Sequence, residues 1–377
     1  MVRASLLGVV VIFAATASAD PVARQPAFDE AALVSGAALA LEPPALLTLP
    51  SAAAVFELDA AMREFVAPIA ALRDSRQKLL KTIDGLEQRG MFSLEYAEVT
   101  RTASETFHER QGNCLSFTML FVGLARAAGL SATYQSVEVP PMWSNDGQVV
   151  IASHVNAVVR MGGGRDTIVD FNTGAARDDQ HSRRVDDSYA LSLFYTNLGA
   201  EALLRAEHAA SLVYLREAAR VHSDIAGIWV NLGVLYARHG RYEHAEAAYL
   251  RALAVDAREQ SALVNLALVY DALGEPKLAA LFRERVRTYR ERNPYYHYAL
   301  ATRAYEQQQF GTALTSVRRA LRLKSDEHEF YTLRGQALTA LGRARDAQNS
   351  FARAREFEAM ESARRQSRAR FEGSDDP

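Results

Sequence analysis

At 377 residues the chain is longer than one compact core and implies two or three domains. Its 43 Lys+Arg against 45 Asp+Glu give a formal charge of -2. That balance excludes a protein drawn to polyanions by its overall field, so no nucleic acid is expected as partner.

The first residues read as an export signal. Arg3 is the positive end, residues 6–15 are an apolar stretch, and Ala17-Ser18-Ala19 has the A-x-A form of a cleavage site before Asp20. The expectation is a signal peptide over 1–19 and a mature chain from Asp20, periplasmic or secreted. The apolar stretch is well short of the roughly 20 residues that span a bilayer, so no stable membrane insertion is expected. Residues 20–55, rich in Ala and Pro without a sustained helical period, read as a linker or a loosely packed lead-in.

From Phe56 to Leu86 apolar residues recur at helical spacing, interrupted by Pro68, which predicts one kinked or two short helices. An apolar run then starts at Cys114 and ends at Leu130. Three β-rich stretches follow, at 132–139, 149–160 and 167–171, and complete an α+β domain over 56–190.

From 192 onward the pattern is helical and repeats every 34 residues, with units starting at 192, 226, 260, 294 and 328. One column reads Tyr195, Trp229, Leu263, His297, Tyr331, and another Gly199, Gly233, Ala267, Ala301, Gly335. Small residues stand where paired helices approach closest, and large ones fill the space between units. Arg283 and Arg334 interrupt apolar columns. The array over 192–361 resembles five tetratricopeptide repeats, and residues 362–377 read as a disordered tail.

Cys114 is the sole cysteine. Alone, it is a small buried apolar residue by default. Gly112-Asn113-Cys114, however, stands directly before the apolar helix, with Asn113 suited to cap it. The first-turn amides and the helix dipole there favour an anion, as a thiol nucleophile requires. Such a nucleophile needs a base, and the base an orienting group. If 149–160 and 167–171 form a hairpin closed by Met161-Gly162-Gly163, paired residue numbers sum to 324 and His154 faces Asp170. A slip of two would set His154 against Asn172 instead, which could also orient an imidazole. Singly, His154 is an ordinary core or surface histidine and Asp170 a strand-end carboxylate; jointly with Cys114 they form the set that acyl-transfer chemistry uses.

The stretches GNCLSFTMLFVGLARAAGL, YQSVEV, SHVNAVV and IVDFN resemble the bacterial transglutaminase-like superfamily, whose fold is papain-like. The fold class expected is therefore an α+β papain/transglutaminase-like domain followed by an all-α tetratricopeptide-repeat solenoid. The resemblance implies Cys114 as nucleophile, His154 as general base and acid, and Asp170 as orienter. A thioester on Cys114 would form from an amide, with the Cys114 backbone N–H as oxyanion donor, and water or an amine would resolve it. No tryptophan flanks Cys114 or His154 and no calcium-loop pattern is present, which points away from protein cross-linking.

No cofactor or metal is called for. Gly162-Gly163-Gly164 is turn chemistry, and His208, His239 and His244 are surface positions of the repeats. Tyr295, Tyr298 and Tyr305 share one face of the fourth unit with Thr302. They either line a groove for a peptide or protein, substrate or partner, or pack on the third unit. An exported thiol enzyme acting on peptide amides, a catalytically silent scaffold, and a cell-wall peptide amidase are the competing readings.

Overall fold

The computed structural model describes residues 27–42, 44, 47–87, 95–137, 142–143, 149–150, 154–162, 166–171 and 182–371. The signal-peptide reading of 1–19 lies outside them, as do Pro140, Pro141, Gly163, Gly164, Asn172 and residues 372–377.

The N-terminal part opens with α1 (Glu30–Ser35), a 3-10 turn (Ala37–Leu39) and α2 (Ala52–Phe56). Two helices follow, α3 (Ala60–Ala70) and α4 (Ser75–Glu87). Pro68 lies inside α3, and the break falls just beyond it. A capping box between Thr102 and Glu105 starts α5 (Ala103–Glu109). The short parallel pair β1 (Glu95–Tyr96) and β2 (Gln111–Gly112) then delivers the chain to α6 (Cys114–Ala127). The main sheet holds β3 (Ser131–Val137), β6 (His154–Arg160), β7 (Asp166–Val169) and β8 (Ser182–Val185) in the antiparallel order β7-β6-β3-β8. A second small hairpin pairs β4 (Met142–Trp143) with β5 (Val149–Val150).

Helix α6 is apolar on nearly every side because it packs on β3 and β6 on one flank and on α3, α4 and α5 on others. Leu120, Phe121, Val122 and Leu124 are fully buried.

Residue Asp186 alone joins β8 to α7 (Asp187–Leu204) and caps that helix by accepting from the Tyr189 N–H. Helix α7 starts five residues ahead of the first repeat expected at 192, and these extra residues pack against the α+β domain. Arg126 of α6 grips Asp187 with two 2.8 Å bonds. One continuous core therefore runs from Leu33 through α6 and the sheet to Val286 of the third repeat.

Nine more helices continue the array: α8 (His208–Val221), α9 (Ala226–Arg238), α10 (Tyr242–Val255), α11 (Gln260–Ala272), α12 (Pro276–Arg292), α13 (Pro294–Glu306), α14 (Phe310–Leu323), α15 (His328–Ala340) and α16 (Ala344–Phe371). The first helices of units two to five begin at 226, 260, 294 and 328, and the second helices of all five at 208, 242, 276, 310 and 344, so the 34-residue period holds throughout. The small-residue column is sterically required: a Cβ on Gly233 would sit 2.4 Å from the Tyr249 ring, and one on Gly335 2.6 Å from Phe351. Arg283 ion-pairs with Asp271, and Arg334 donates to Ser350 Oγ at 3.0 Å while lying over the Tyr331 ring. The apolar core divides between units three and four, where Asn293 alone separates α12 from α13 and its side chain accepts from the Tyr295 and Tyr296 N–H groups.

Two expectations are corrected. Residues 20–55 do not behave as a linker where they are described: Leu33 and Val55 are buried, and Phe28 stacks on His244 at 3.7 Å. Tyr236 donates to the Leu33 carbonyl, and Arg216 and Arg241 donate to the carbonyls of Val34, Ser35 and Ala38. An alanine-rich segment shows little amphipathic period because its backbone carbonyls, rather than a run of side chains, carry much of the docking. The tail was expected from 362, yet α16 stays helical to Phe371.

Candidate active site

Gly112 lets the chain pass close to α6, since a Cβ there would lie 2.7 Å from that of Ser116. Asn113 caps the helix, its Oδ1 accepting from the Ser116 N–H at 3.0 Å and from Ser116 Oγ at 3.1 Å. Its Nδ2 donates to Thr100 Oγ1 at 2.8 Å, and the Thr100 N–H donates to Glu201 Oε1 of α7 at 2.8 Å. The cap that sets Cys114 in the first turn is thus held by a side chain of the first repeat. Cys114 is half-buried. Its backbone N–H belongs to the helical turn that has no intrahelical acceptor.

His154 opens β6 and is 3% exposed; Asp170 follows β7 and is 10% exposed. His154 Nε2 lies 2.7 Å from Asp170 Oδ2, and the ring also hydrogen-bonds the Cys114 side chain. With Nε2 on the carboxylate, Nδ1 is the nitrogen left to face the sulfur. Burial alone would push the imidazole pKa down, but the bonds to Asp170 and Cys114, with their charges, outweigh it and raise it to about 9.

The structure shows the second of the two registers, the slip of two. β6 and β7 pair as Ala157 with Val169 and Arg160 with Asp166, so paired numbers sum to 326. The connection between the strands is five residues, 161–165, instead of the three of Met161-Gly162-Gly163. In this register Asp170 stands across from Asn156, and its carboxylate reaches His154 on the diagonal, two positions along. The contact survives the slip because a diagonal neighbour on the same face is within side-chain reach.

Three supports were not legible in the sequence. Thr118 Oγ1 lies 2.8 Å from the Cys114 carbonyl and 3.0 Å from that of Val155, which ties the cysteine's turn to the strand of His154. Phe171 sets its ring edge-on to Phe117 and Phe121 and anchors the residue after Asp170 on α6. Asn156 is 3% exposed and donates from Nδ2 to Asp170 Oδ2 at 3.1 Å. Its spacing of two from His154, on one face of a strand, was the only available signal.

Tyr295, Tyr298 and Tyr305 are half-buried and do not form an open face. Tyr298 stacks on Phe330 of the fifth unit at 4.8 Å, Tyr295 meets the same ring edge-on and donates to Glu327, and Tyr305 packs on Phe310. Tyr295 and Tyr298 pack forward onto Phe330 of the fifth unit, where the apolar core resumes, and Tyr305 packs on Phe310 of its own unit. His208 and His239 meet edge to face, and His244 is stacked between Phe28 and Tyr236. Among the described residues no group of His, Cys, Asp and Glu could hold a metal ion, and no helix is long and apolar enough to cross a membrane.

Residues 63–164 match the model of the transglutaminase-like superfamily, and residues 226–258 that of the tetratricopeptide repeat. The chain joins a transglutaminase-like domain to tetratricopeptide repeats. No curated protein matches it. Solved structures similar to the chain include MamA (residues 41 to the end) from Desulfovibrio magneticus RS-1, at 20% identity over 45% of this chain and 96% of that one, TM-score 0.25. Another is YrrB, described as a TPR protein with an unusual peptide-binding site, at 16% identity over 47% of this chain and 92% of that one, TM-score 0.26. The transglutaminase-like domain contributes the Cys114, His154 and Asp170 cluster, and the repeats contribute the helix that braces it.

Proposed function

We propose that the chain is an exported thiol enzyme that cleaves or transfers a peptide or protein amide through a thioester on Cys114, with the repeats holding substrate or a partner protein. The observation that carries the reading is the imidazole of His154, bonded by Asp170 on one nitrogen and by the side chain of Cys114, a half-buried cysteine at a helix N-terminus, on the other. A proton held on that imidazole leaves the sulfur as the nucleophile.

The sulfur attacks the acyl carbon, and the first-turn amides of α6 face the developing oxyanion. As the C–N bond breaks, His154 passes its proton to the leaving amine, and the acyl group stays on sulfur. Water or a second amine, deprotonated by His154, then attacks the thioester and returns the thiol. The backbone of β4 comes within 8 Å of α13, so a chain lying along the repeats passes the hairpin that precedes His154.

The test uses the full chain and iodoacetamide from pH 5 to 9. Fast labelling of Cys114 at pH 6, abolished by Cys114→Ala and reduced at least tenfold by His154→Ala, supports an enzyme. Labelling that rises only in the alkaline range of a free thiol, about 8.5, leaves a silent scaffold. Incubation with purified cell wall, scored for released amino groups, tests the amidase reading. Export is tested by sequencing the N-terminus of the protein recovered from outside the cytoplasm; a start at Asp20 supports the signal.

A further inference from the structure

We propose that Asn156 is a positioning residue that pins the Asp170 carboxylate against His154; the inference rests on the enzyme reading above. Asp170 Oδ2 is held between two donors, His154 Nε2 at 2.7 Å and Asn156 Nδ2 at 3.1 Å. One donor leaves a carboxylate free to rotate about its last bond; two donors on the same oxygen fix that rotation. The imidazole plane, and with it the nitrogen facing Cys114, is set by where Oδ2 stands.

The orientation of the Asn156 amide follows from this contact. Turned over, it would set Oδ1 against a carboxylate oxygen at the same distance, an unfavourable pair. In the observed orientation Oδ1 is buried without a hydrogen-bond partner among the described residues, and so is Oε1 of Gln135, the residue across from Asn156 on β3. A buried acceptor without a partner is destabilising, so an asparagine kept only for stability would be poorly chosen here. An aliphatic side chain of the same shape would fill the site better. The neighbouring residues of β6 on the other face, Val155, Ala157 and Val159, are aliphatic and join the core.

Function and stability should therefore separate at this residue. The titratable groups around it are Asp170 beyond β7, which it contacts, and His154 on its own strand, which in turn meets Cys114 of α6; Gln135 on β3 is uncharged, and Arg184 on β8 is paired with Asp166.

Two variants of the full chain test the role. Asn156→Leu removes the donor and the unpartnered acceptor together. Its melting temperature should stay within a few degrees of wild type, while iodoacetamide labelling of Cys114 at pH 6 falls about tenfold or more. Asn156→Asp keeps the shape, but the new carboxyl donates to Asp170 only while it holds a proton. Its labelling rate should match wild type near pH 5 and fall below it as that proton is lost. If wild type labels at pH 6 and both variants label like it, the positioning role is overturned and the enzyme reading stands. If Asn156→Leu loses melting temperature in step with labelling, the role is structural and the proposal falls. If wild type itself labels only in the free-thiol range, both readings fall together.

Discussion

The repeat array and the transglutaminase-like domain hold their shapes through contacts of different range. In the array, Gly233 meets Tyr249 and Gly335 meets Phe351, partners within one unit, and each unit leans on the next. In the domain the site is assembled across the chain: Thr118 reaches Val155 37 residues on, and Thr100 is held by Glu201 101 residues on. Locally held units can be lost from one end while their neighbours stand. A site held by distant residues fails when any of its supports moves. The division of the core at Asn293 places units four and five on the expendable side of that contrast, and α7 ties the first repeat to the site.

The sharpest way to break the comparison is Asp170→Ala. Without the carboxylate the bond and charge of Asp170 no longer hold the proton on His154, and its pKa falls from about 9. Labelling of Cys114 at pH 7 should fall by roughly 10²- to 10⁴-fold, while helical circular dichroism from the array is retained. Stability follows the same group. Below pH 6.5 His154 is protonated in the folded and unfolded chain, and its full contribution is present. Between 6.5 and about 9 only the folded form keeps the proton, and the contribution is lost as pH rises through about 9. Wild type should therefore melt lower at pH 10 than at pH 7, and Asp170→Ala should show little of that decline.

Gly233→Val tests the array. The added Cβ would meet a fully buried Tyr249 ring with no room to turn, which costs about 3 kcal/mol by overpacking. Gly311→Ala, with nothing within 4 Å of the new methyl, should instead gain up to about 1 kcal/mol. Chemical denaturation of the two variants measures both. Equal effects would mean that the glycine column is not set by helix approach.

The brace between the regions comes next. Glu201→Ala leaves the buried Thr100 N–H without its acceptor, a loss of about 2 kcal/mol, and loosens the Asn113 cap. Labelling of Cys114 should slow several-fold, and Glu201→Gln, which keeps an acceptor, should restore most of it. An unchanged rate in Glu201→Ala would show that the repeats do not support the site.

The same difference in range explains what could be read from the residues alone. A 34-residue period repeats its evidence five times, so the starts at 226, 260, 294 and 328 were legible to the residue. Cys114 was legible at a helix start because Asn113 advertises a cap. The partner register of β6 and β7 was legible only as two alternatives, of which the slip of two is the one found, since the three glycines at 162–164 allow loops of several lengths and strand pairing leaves no mark on either strand alone. The roles of Thr100, Thr118 and Glu201 depend on contacts with distant parts of the chain and leave no local pattern. The docked segment 30–39 was misread for a related reason: hydrogen bonds to its carbonyls are made by Arg216, Arg241 and Tyr236, some two hundred residues away, and nothing in Ala-Ala-Leu-Val-Ser-Gly-Ala records them.

The smallest effect separates the regions by acid. Asp59 caps α3 and holds α5: Ser104 Oγ donates to it at 2.6 Å, the Met62 N–H at 3.0 Å, and His108 lies 2.8 Å away. These bonds, that of Ser104 foremost, lower its pKa from 3.8 to about 2. A carboxylate depressed in this way stabilises the fold fully above its unfolded value and loses that contribution as pH falls from about 4 through about 2. His108 is half exposed and solvent screens the pair, so the melting temperature should drop by only about 2 °C over that range. Asp59→Asn keeps a side chain able to cap the helix but carries no charge to titrate, and should flatten the acid slope of the domain. The ion pairs of the array, such as Arg287 with Glu291 and Arg353 with Glu356, lie on exposed helix surfaces, where removing one pair moves stability little. An acid slope that survives Asp59→Asn unchanged would place the titrating group elsewhere and remove acid sensitivity as a difference between the two regions.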